Sequence, residues 1–211
     1  AGRDSRAEGS GPMNMEPVRF GVIGCGLMGR EFASVSMRWL HLACELPRPV
    51  IVAACDLSPK NLDWFRQVPD TKYFYSDYHE LLANPEVEAV YCAVPHHLHA
   101  QVYGDVIRAG KHLIGEKPFG MDLAACEEVE AAMAGRPEVF VRCASEFPFY
   151  PAVQQMVKWY REGAFGQIIE ARFAIKHSSD MDLAKPINWQ RMRAATGAYG
   201  SMGDLGIHTQ H

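Results

Sequence analysis

Four short groups of residues in this 211-residue chain have the types and spacing to do chemistry. The first is Gly24-Cys25-Gly26-Leu27-Met28-Gly29, which follows the β-rich run Val18 to Gly24 and opens a helical pattern. In that context the first glycine permits a tight turn, the second lets backbone approach a pyrophosphate, and the third lets helix and sheet pack closely. The helix N-terminus adds free N–H groups and a partial positive charge for phosphate oxygens. The second group is Asp56, which closes the apolar run Val50 to Cys55, 27 residues beyond Gly29. A carboxylate there bonds adenosine ribose hydroxyls and repels a 2′-phosphate, favouring NAD over NADP. Lys60 is close enough to blur that preference, so NADP is not excluded; as a plain turn residue before Ser58-Pro59, Asp56 would need no ligand.

The third group, Glu116-Lys117-Pro118, lies just past the apolar strand His112 to Gly115. Open α/β sheets bind ligands beyond their strand C-termini. Pro118 has a fixed φ and no N–H, so it rigidifies the bend, and a partly desolvated Lys117 ammonium there can stabilise a developing alkoxide. The fourth is Asp204 with His208, spaced i, i+4 and so on one face if the segment is helical. Histidine, with an ordinary pKa near ~6.5, can accept a hydroxyl proton while Asp204 orients it or touches substrate. Taken alone, such a lysine reads as a solvated charge and such a pair as a surface pair. His96, His97 and His99 invite a metal reading, rejected because no carboxylate or cysteine set completes a ligand shell.

These groups need a scaffold, and the apolar pattern supplies one. Strands are expected at 18–24, 50–55, 73–75, 88–94, 112–115 and 138–144. Helices are expected at 30–46, 59–67, 78–82, 97–109 and 122–133. Apolar strands alternating with helices indicate a parallel sheet covered on both faces, an N-terminal Rossmann doubly wound α/β fold. Gly110 is placed as a left-handed helix cap. After residue 145 the alternation changes to a helix (152–161), a long strand (167–176) and a glycine-rich stretch. That reads as the start of an α+β domain. The division expected is a disordered leader over 1–15, a dinucleotide-binding domain over 16–145, and a substrate and oligomerisation domain beginning at 146.

Composition narrows the classes. With 48% hydrophobic residues, 22% charged residues and a net charge of −4, the chain resembles an ordinary globular protein with no basic footprint for nucleic acid or an anionic membrane. No apolar run approaches the ~18 residues that cross a bilayer, and the leader has no apolar block of a secretory signal. The six cysteines form no C-x-x-C pair and mostly sit in apolar runs, which fits a reducing cytoplasm.

Taken together, the motifs resemble the family of glucose–fructose oxidoreductase and inositol dehydrogenase (Gfo/Idh/MocA). They are the turn Gly24 to Gly29, Ala93-Val94-Pro95-His96-His97-Leu98-His99, Ala109-Gly110-Lys111-His112-Leu113-Ile114-Gly115-Glu116-Lys117-Pro118, and Gly203-Asp204-Leu205-Gly206-Ile207-His208. Their order and spacing match across about residues 18 to 208. The resemblance implies an NAD(P)-dependent oxidoreductase acting on a secondary alcohol or ketone of a sugar, cyclitol or sugar derivative. It assigns Lys117, His208 and Asp204 to catalysis. It assigns Gly24, Gly26, Leu27, Met28, Gly29, Asp56, Val94, Pro95, His96, His99, Glu116 and Lys117 to the cofactor. Trp189 and Tyr199 join Lys117, Asp204 and His208 toward substrate, although Trp189 serves equally as core packing. It also implies a cytoplasmic homo-oligomer, dimer or tetramer, whose second domain is an open, mostly antiparallel sheet needing more residues than are present here. The chain therefore reads as a truncated part of a longer protein.

Three features depart from the family pattern. Ala198-Tyr199-Gly200 stands where a triple glycine is common, Glu146 where an arginine is common, and His211 where an acidic residue often follows the histidine. The bulk of Tyr199 leaves open a non-catalytic dinucleotide-binding regulator of the same fold. An NAD-assisted glycosidase is the other alternative.

Overall fold

The computed structural model describes residues 15–42, 46–176, 178, 181–182 and 184–209. Apart from Met15, the expected leader lies outside the described residues, as do Cys44 and His211. The strands are β1 (Val18–Ile23), β2 (Pro49–Cys55), β3 (Tyr73–Tyr75), β4 (Ala89–Cys92), β5 (His112–Glu116) and β6 (Val141–Ala144). They form one six-stranded sheet in the order β3-β2-β1-β4-β5-β6, the order of a dinucleotide-binding doubly wound fold. The chain divides into two compact units, the first ending at Glu88 and the second beginning at Ala89.

In the first unit β1, β2 and β3 pair in parallel. Val22, Ile51, Val52 and Ala53 are buried, as a strand covered on both faces requires. Helix α1 (Leu27–Ser36) starts from Gly26, and α2 (Pro59–Phe65) has Pro59 in its first turn, where a missing N–H costs nothing. Helix α3 (Tyr78–Ala83) is capped by Asp77, whose side chain accepts from the His79 N–H. The helix expected over 30–46 is shorter than its apolar pattern. It closes at Met37, and a 3-10 turn over Trp39–His41 follows. Past Met37 the bonds tighten to the i→i−3 pattern, from the Arg38 N–H to the Val35 carbonyl and from the His41 N–H to the Arg38 carbonyl, so the α-helix ends in a 3-10 turn.

In the second unit β4, β5 and β6 pair in parallel. Helix α4 (His99–Arg108) and α5 (Leu123–Ala134) pack beside them, with Val102, Val106, Ile107 and Val129 fully or almost fully buried. Asp122 caps α5 by accepting from the Ala125 N–H. Gly110 has φ +74, the left-handed cap its sequence context predicts. The helix expected from 97 begins two residues later, because His96–Leu98 forms a 3-10 turn.

Helix α6 (Pro151–Arg161) forms where the periodicity places it. The long strand expected over 167–176 does not form: this segment has no regular structure and its residues are exposed. Strand pairing needs a neighbouring ladder, and among the described residues none lies beside it. Two short helices, α7 (Arg193–Thr196) and α8 (Gly200–Asp204), complete the described elements together with 3-10 turns at Trp189–Arg191 and Gly206–Thr209.

Candidate functional site

The glycine turn in the first unit has the shape of a phosphate cradle. Gly24 has φ +91, which favours a residue without Cβ. A Cβ on Gly29 would meet the Gly24 carbonyl oxygen at 2.3 Å, so this third glycine lets the helix sit against the turn. Gly26 differs: a Cβ there would meet nothing within 4 Å. The space over Gly26 is open, at the start of an α1 that has no side-chain cap and no acidic residue in its first turn. Leu27 and Met28 are exposed beside it. An open face of backbone amides at the positive end of a ten-residue helix suits a pyrophosphate, so these residues fit a dinucleotide.

Asp56 is tied into the same turn. Its Oδ2 accepts from the Cys25 N–H at 2.8 Å and from Asn61 Nδ2 at 3.1 Å, while Oδ1 accepts from the Ser58 N–H at 2.7 Å. These bonds use three of the roughly four acceptor positions of a carboxylate. Asp56 therefore braces the turn and retains room for one further donor. Arg30 reaches Asn61 Oδ1 at 3.1 Å and lies over the Trp64 ring at 5.2 Å, forming a cationic neighbour that sequence reasoning did not single out. Burial pushes the Cys25 thiol up, so it is an inert core group.

In the second unit, α4 builds the bend at Glu116-Lys117-Pro118. Gly115 lets the Tyr103 ring come close, since a Cβ there would lie 2.7 Å from it. The Tyr103 hydroxyl donates to the Glu116 carbonyl at 2.7 Å. His99, stacked on Tyr103, places Nδ1 2.7 Å from the Pro118 carbonyl and Nε2 2.9 Å from the Val94 carbonyl. One side chain thus ties the loop after β4 to the loop after β5. Burial holds the His99 pKa below its ordinary value, and the two carbonyls pull it the other way. His99 and the Val94-Pro95 backbone are therefore supports of the bend. The Lys117–Pro118 peptide is cis.

Glu116 is buried at the end of β5. Its Oε1 accepts from the Tyr91 hydroxyl at 2.6 Å and its Oε2 from the Lys117 N–H at 3.1 Å. Burial raises its pKa, against those two bonds. Tyr91, on the neighbouring strand, was missed by sequence reasoning because it reads there as one more apolar strand residue.

Lys117 and Asp204 come together. The ammonium is 2.7 Å from Asp204 Oδ1 and also donates to the Asp204 carbonyl at 2.8 Å. Asp204 is 3% exposed. Its Oδ1 lies 3.9 Å from His96 Nε2, and its Oδ2 lies 3.6 Å from Arg191 Nη1. Three cationic or cation-capable side chains surround one buried carboxylate, which is how a buried charge is tolerated. His96 is itself buried, and its pKa is lowered to about 4 by burial first and then by His99 and Lys117, with Asp204 opposing. The ring is therefore neutral near pH 7. Trp189 meets it edge-on at 5.0 Å and 90°. Arg191 was not anticipated; its only sequence signal is its place two residues after Trp189.

His208 is not on the helix of Asp204. α8 ends at Asp204, and His208 sits in the following 3-10 turn, bonded through its N–H to the Leu205 carbonyl. The i, i+4 spacing therefore does not act through one helical face; Gly203 and Gly206 weaken a continuous helix here. The His208 imidazole stacks on Phe147 at 4.7 Å and 29°. Tyr199 is exposed, so its ring does not crowd the buried Asp204 cluster. Among the described residues no group of three or more His, Cys, Asp or Glu could hold a metal ion, five cysteines are free, and no helix is long and apolar enough to cross a membrane.

Residues 18–142 match the Gfo/Idh/MocA family model, described as an oxidoreductase family with an NAD-binding Rossmann fold. Levoglucosan dehydrogenase of Pseudarthrobacter phenanthrenivorans is 27% identical over 199 residues, which is 92% of this chain and 50% of that protein. Trans-1,2-dihydrobenzene-1,2-diol dehydrogenase of Sus scrofa is 30% identical over 197 residues, 90% of this chain and 53% of that protein. A solved levoglucosan dehydrogenase, in complex with NADH and L-sorbose, superposes with a TM-score of 0.81 at 24% identity, covering 92% of this chain and 52% of that one. The chain thus spans about half the length of the curated relatives it matches.

Proposed function

Because the chain belongs to the Gfo/Idh/MocA family of oxidoreductases with an NAD-binding Rossmann fold, we propose that it serves an NAD(P)-dependent dehydrogenase or reductase acting on a secondary alcohol or ketone of a sugar-like substrate. The observation that carries this reading is the buried ion pair of Lys117 and Asp204, 2.7 Å long, at the C-terminal end of β5. In this reading residues 16–145 are the dinucleotide-binding domain and 146–211 open the substrate and oligomerisation domain. The protein works in the cytoplasm as a homo-oligomer.

The turn Gly24 to Gly29 holds the pyrophosphate, and Asp56 spends its remaining acceptor position on a ribose hydroxyl, which favours NAD. The nicotinamide, when bound, is the hydride acceptor in alcohol oxidation. Lys117 donates a hydrogen bond to the hydroxyl oxygen and holds the negative charge that grows there. Asp204 holds that ammonium in place through its carboxylate and its backbone carbonyl. His208, its ring plane set by Phe147, takes the hydroxyl proton. Neutral His96 and Trp189 close one side of the Asp204 cluster and keep water from it. Replacement of Lys117 by Ala is expected to lower turnover by about 10²-fold or more while dinucleotide affinity changes by less than about twofold. Stopped-flow turnover and fluorescence titration of NADH measure the two, and an equal loss of both removes the assignment.

A further inference from the structure

Next to the Asp204 cluster, the second unit contains a cavity of about 320 Å³ whose lining, drawn from between Gln190 and Ser201, includes Arg191, Arg193, Thr196 and Ser201. That volume falls in the ordinary range of small-molecule pockets, ~300–1,000 Å³. Its lining carries two arginines and two hydroxyl side chains but no carboxylate. Arg193 is exposed, and among the described residues it has no carboxylate partner. Asp204 stands beside the Arg191 guanidinium, while the exposed Arg193 guanidinium lines the same cavity with no carboxylate in its lining. Arg191 also spans to the reaction centre: its Nη1 lies 3.6 Å from Asp204 Oδ2, and Asp204 Oδ1 holds the Lys117 ammonium.

We infer that the substrate carries an oxyanion, a carboxylate or a phosphate ester, which is received in this cavity by Arg191 and Arg193. This inference rests on the proposed oxidoreductase reading and narrows its substrate class to acidic sugar derivatives. Guanidinium forks match the paired oxygens of carboxylate and phosphate, and they suit neutral hydroxyls much less well. Thr196 spends its hydroxyl on the Met192 carbonyl, leaving Ser201 as the hydroxyl donor to the ligand. Charge also selects here. An anion entering a cavity whose lining carries Arg191 and Arg193 and no carboxylate is attracted, and a neutral polyol is not.

The test uses the full-length protein and three matched substrates: a neutral hexose or its polyol, the corresponding uronate, and the hexose 6-phosphate. NAD reduction gives kcat and KM for each, and calorimetry without dinucleotide gives the Kd of the uronate and of the phosphate. The expected result is an acidic substrate favoured by about tenfold or more in kcat/KM. Arg193→Gln should raise its KM about tenfold with kcat nearly unchanged and the neutral substrate unaffected, and Arg193→Lys should recover part of the loss. Whichever acidic arm responds identifies the oxyanion. A neutral substrate used as well as both acidic ones, or Arg193→Gln raising all KM values alike, overturns the inference. Turnover of no substrate, with uronate or phosphate binding that still weakens in Arg193→Gln, removes the oxidoreductase reading and leaves the anion site standing.

Discussion

Lys117 and Asp204, 87 positions apart, are joined twice: the ammonium donates to the carboxylate at 2.7 Å and to the backbone carbonyl of the same aspartate at 2.8 Å. The side chain is 16% exposed on the lysine and 3% on the aspartate. Such a pair is costly to break from one side, because the remaining charge stays buried without its partner. Asp204→Ala, which leaves Lys117 and Arg191 facing each other, is expected to cost about 3 kcal/mol. Adding Lys117→Met should return part of that loss. Urea unfolding of the two single variants and the double variant measures the coupling, and strictly additive losses would show that the pair does not hold the fold.

His96 gives the protein an acid-sensitive step. Its folded pKa is about 4, against an ordinary 6.5. A base with a depressed folded pKa leaves the unfolded chain binding more protons between those values, so stability is complete above pH 6.5 and falls as the pH drops toward 4. The shift corresponds to at most about 3 kcal/mol. His96→Gln removes the titration but leaves His99 and Glu116, whose own shifts have opposite effects on stability, present in both proteins. Stability should therefore fall less in the variant than in the native protein from pH 7 to pH 4, and parallel curves would refute the assignment.

The two glycines of the phosphate turn should fail differently. Gly29→Ala forces a methyl onto the Gly24 carbonyl, 2.3 Å away, and should reduce both stability and dinucleotide binding. Gly26→Ala adds a methyl where nothing lies within 4 Å. It should fold with an unchanged melting temperature yet bind NADH at least about tenfold more weakly, because the methyl occupies the line of approach of the pyrophosphate. Thermal melts beside NADH titrations separate the two, and unimpaired NADH binding by Gly26→Ala would move the phosphates elsewhere.

Asp56 combines two tasks that a sequence motif reads as one. Asp56→Ala loses three hydrogen bonds, from Cys25, Ser58 and Asn61. It should lower stability by about 1–3 kcal/mol and weaken NADH and NADPH binding together, since the turn itself loosens. Asp56→Asn keeps one acceptor oxygen and removes the charge, so it should lose preference for NADH over NADPH with a smaller loss of stability. Paired titrations of both dinucleotides decide this, and an undiminished preference in Asp56→Asn would assign the selection to Arg30 or Lys60.

Local chemistry was legible in the residue order wherever it acts over a few positions. The six parallel strands follow from short apolar runs punctuated by glycine and proline. The cradle at Gly24 to Gly29 follows from a strand, three glycines and a helix in succession, and Gly110 as a left-handed cap follows from its place after Ala109. The resemblance pointed to Lys117, Asp204 and His208 together, yet it did not say which contacts they make. That depended on the tertiary structure. Asp204 gathers Lys117, His96 and Arg191, three residues from three separate segments, because a buried carboxylate recruits whatever cations the packing brings within reach. His208 leaves the helix of its supposed partner because glycines interrupt it, and its ring rests on Phe147 instead. The extended run at 167–176 reads as a strand by composition, but a strand exists only where a neighbouring ladder satisfies its backbone, and no local pattern reports the neighbour.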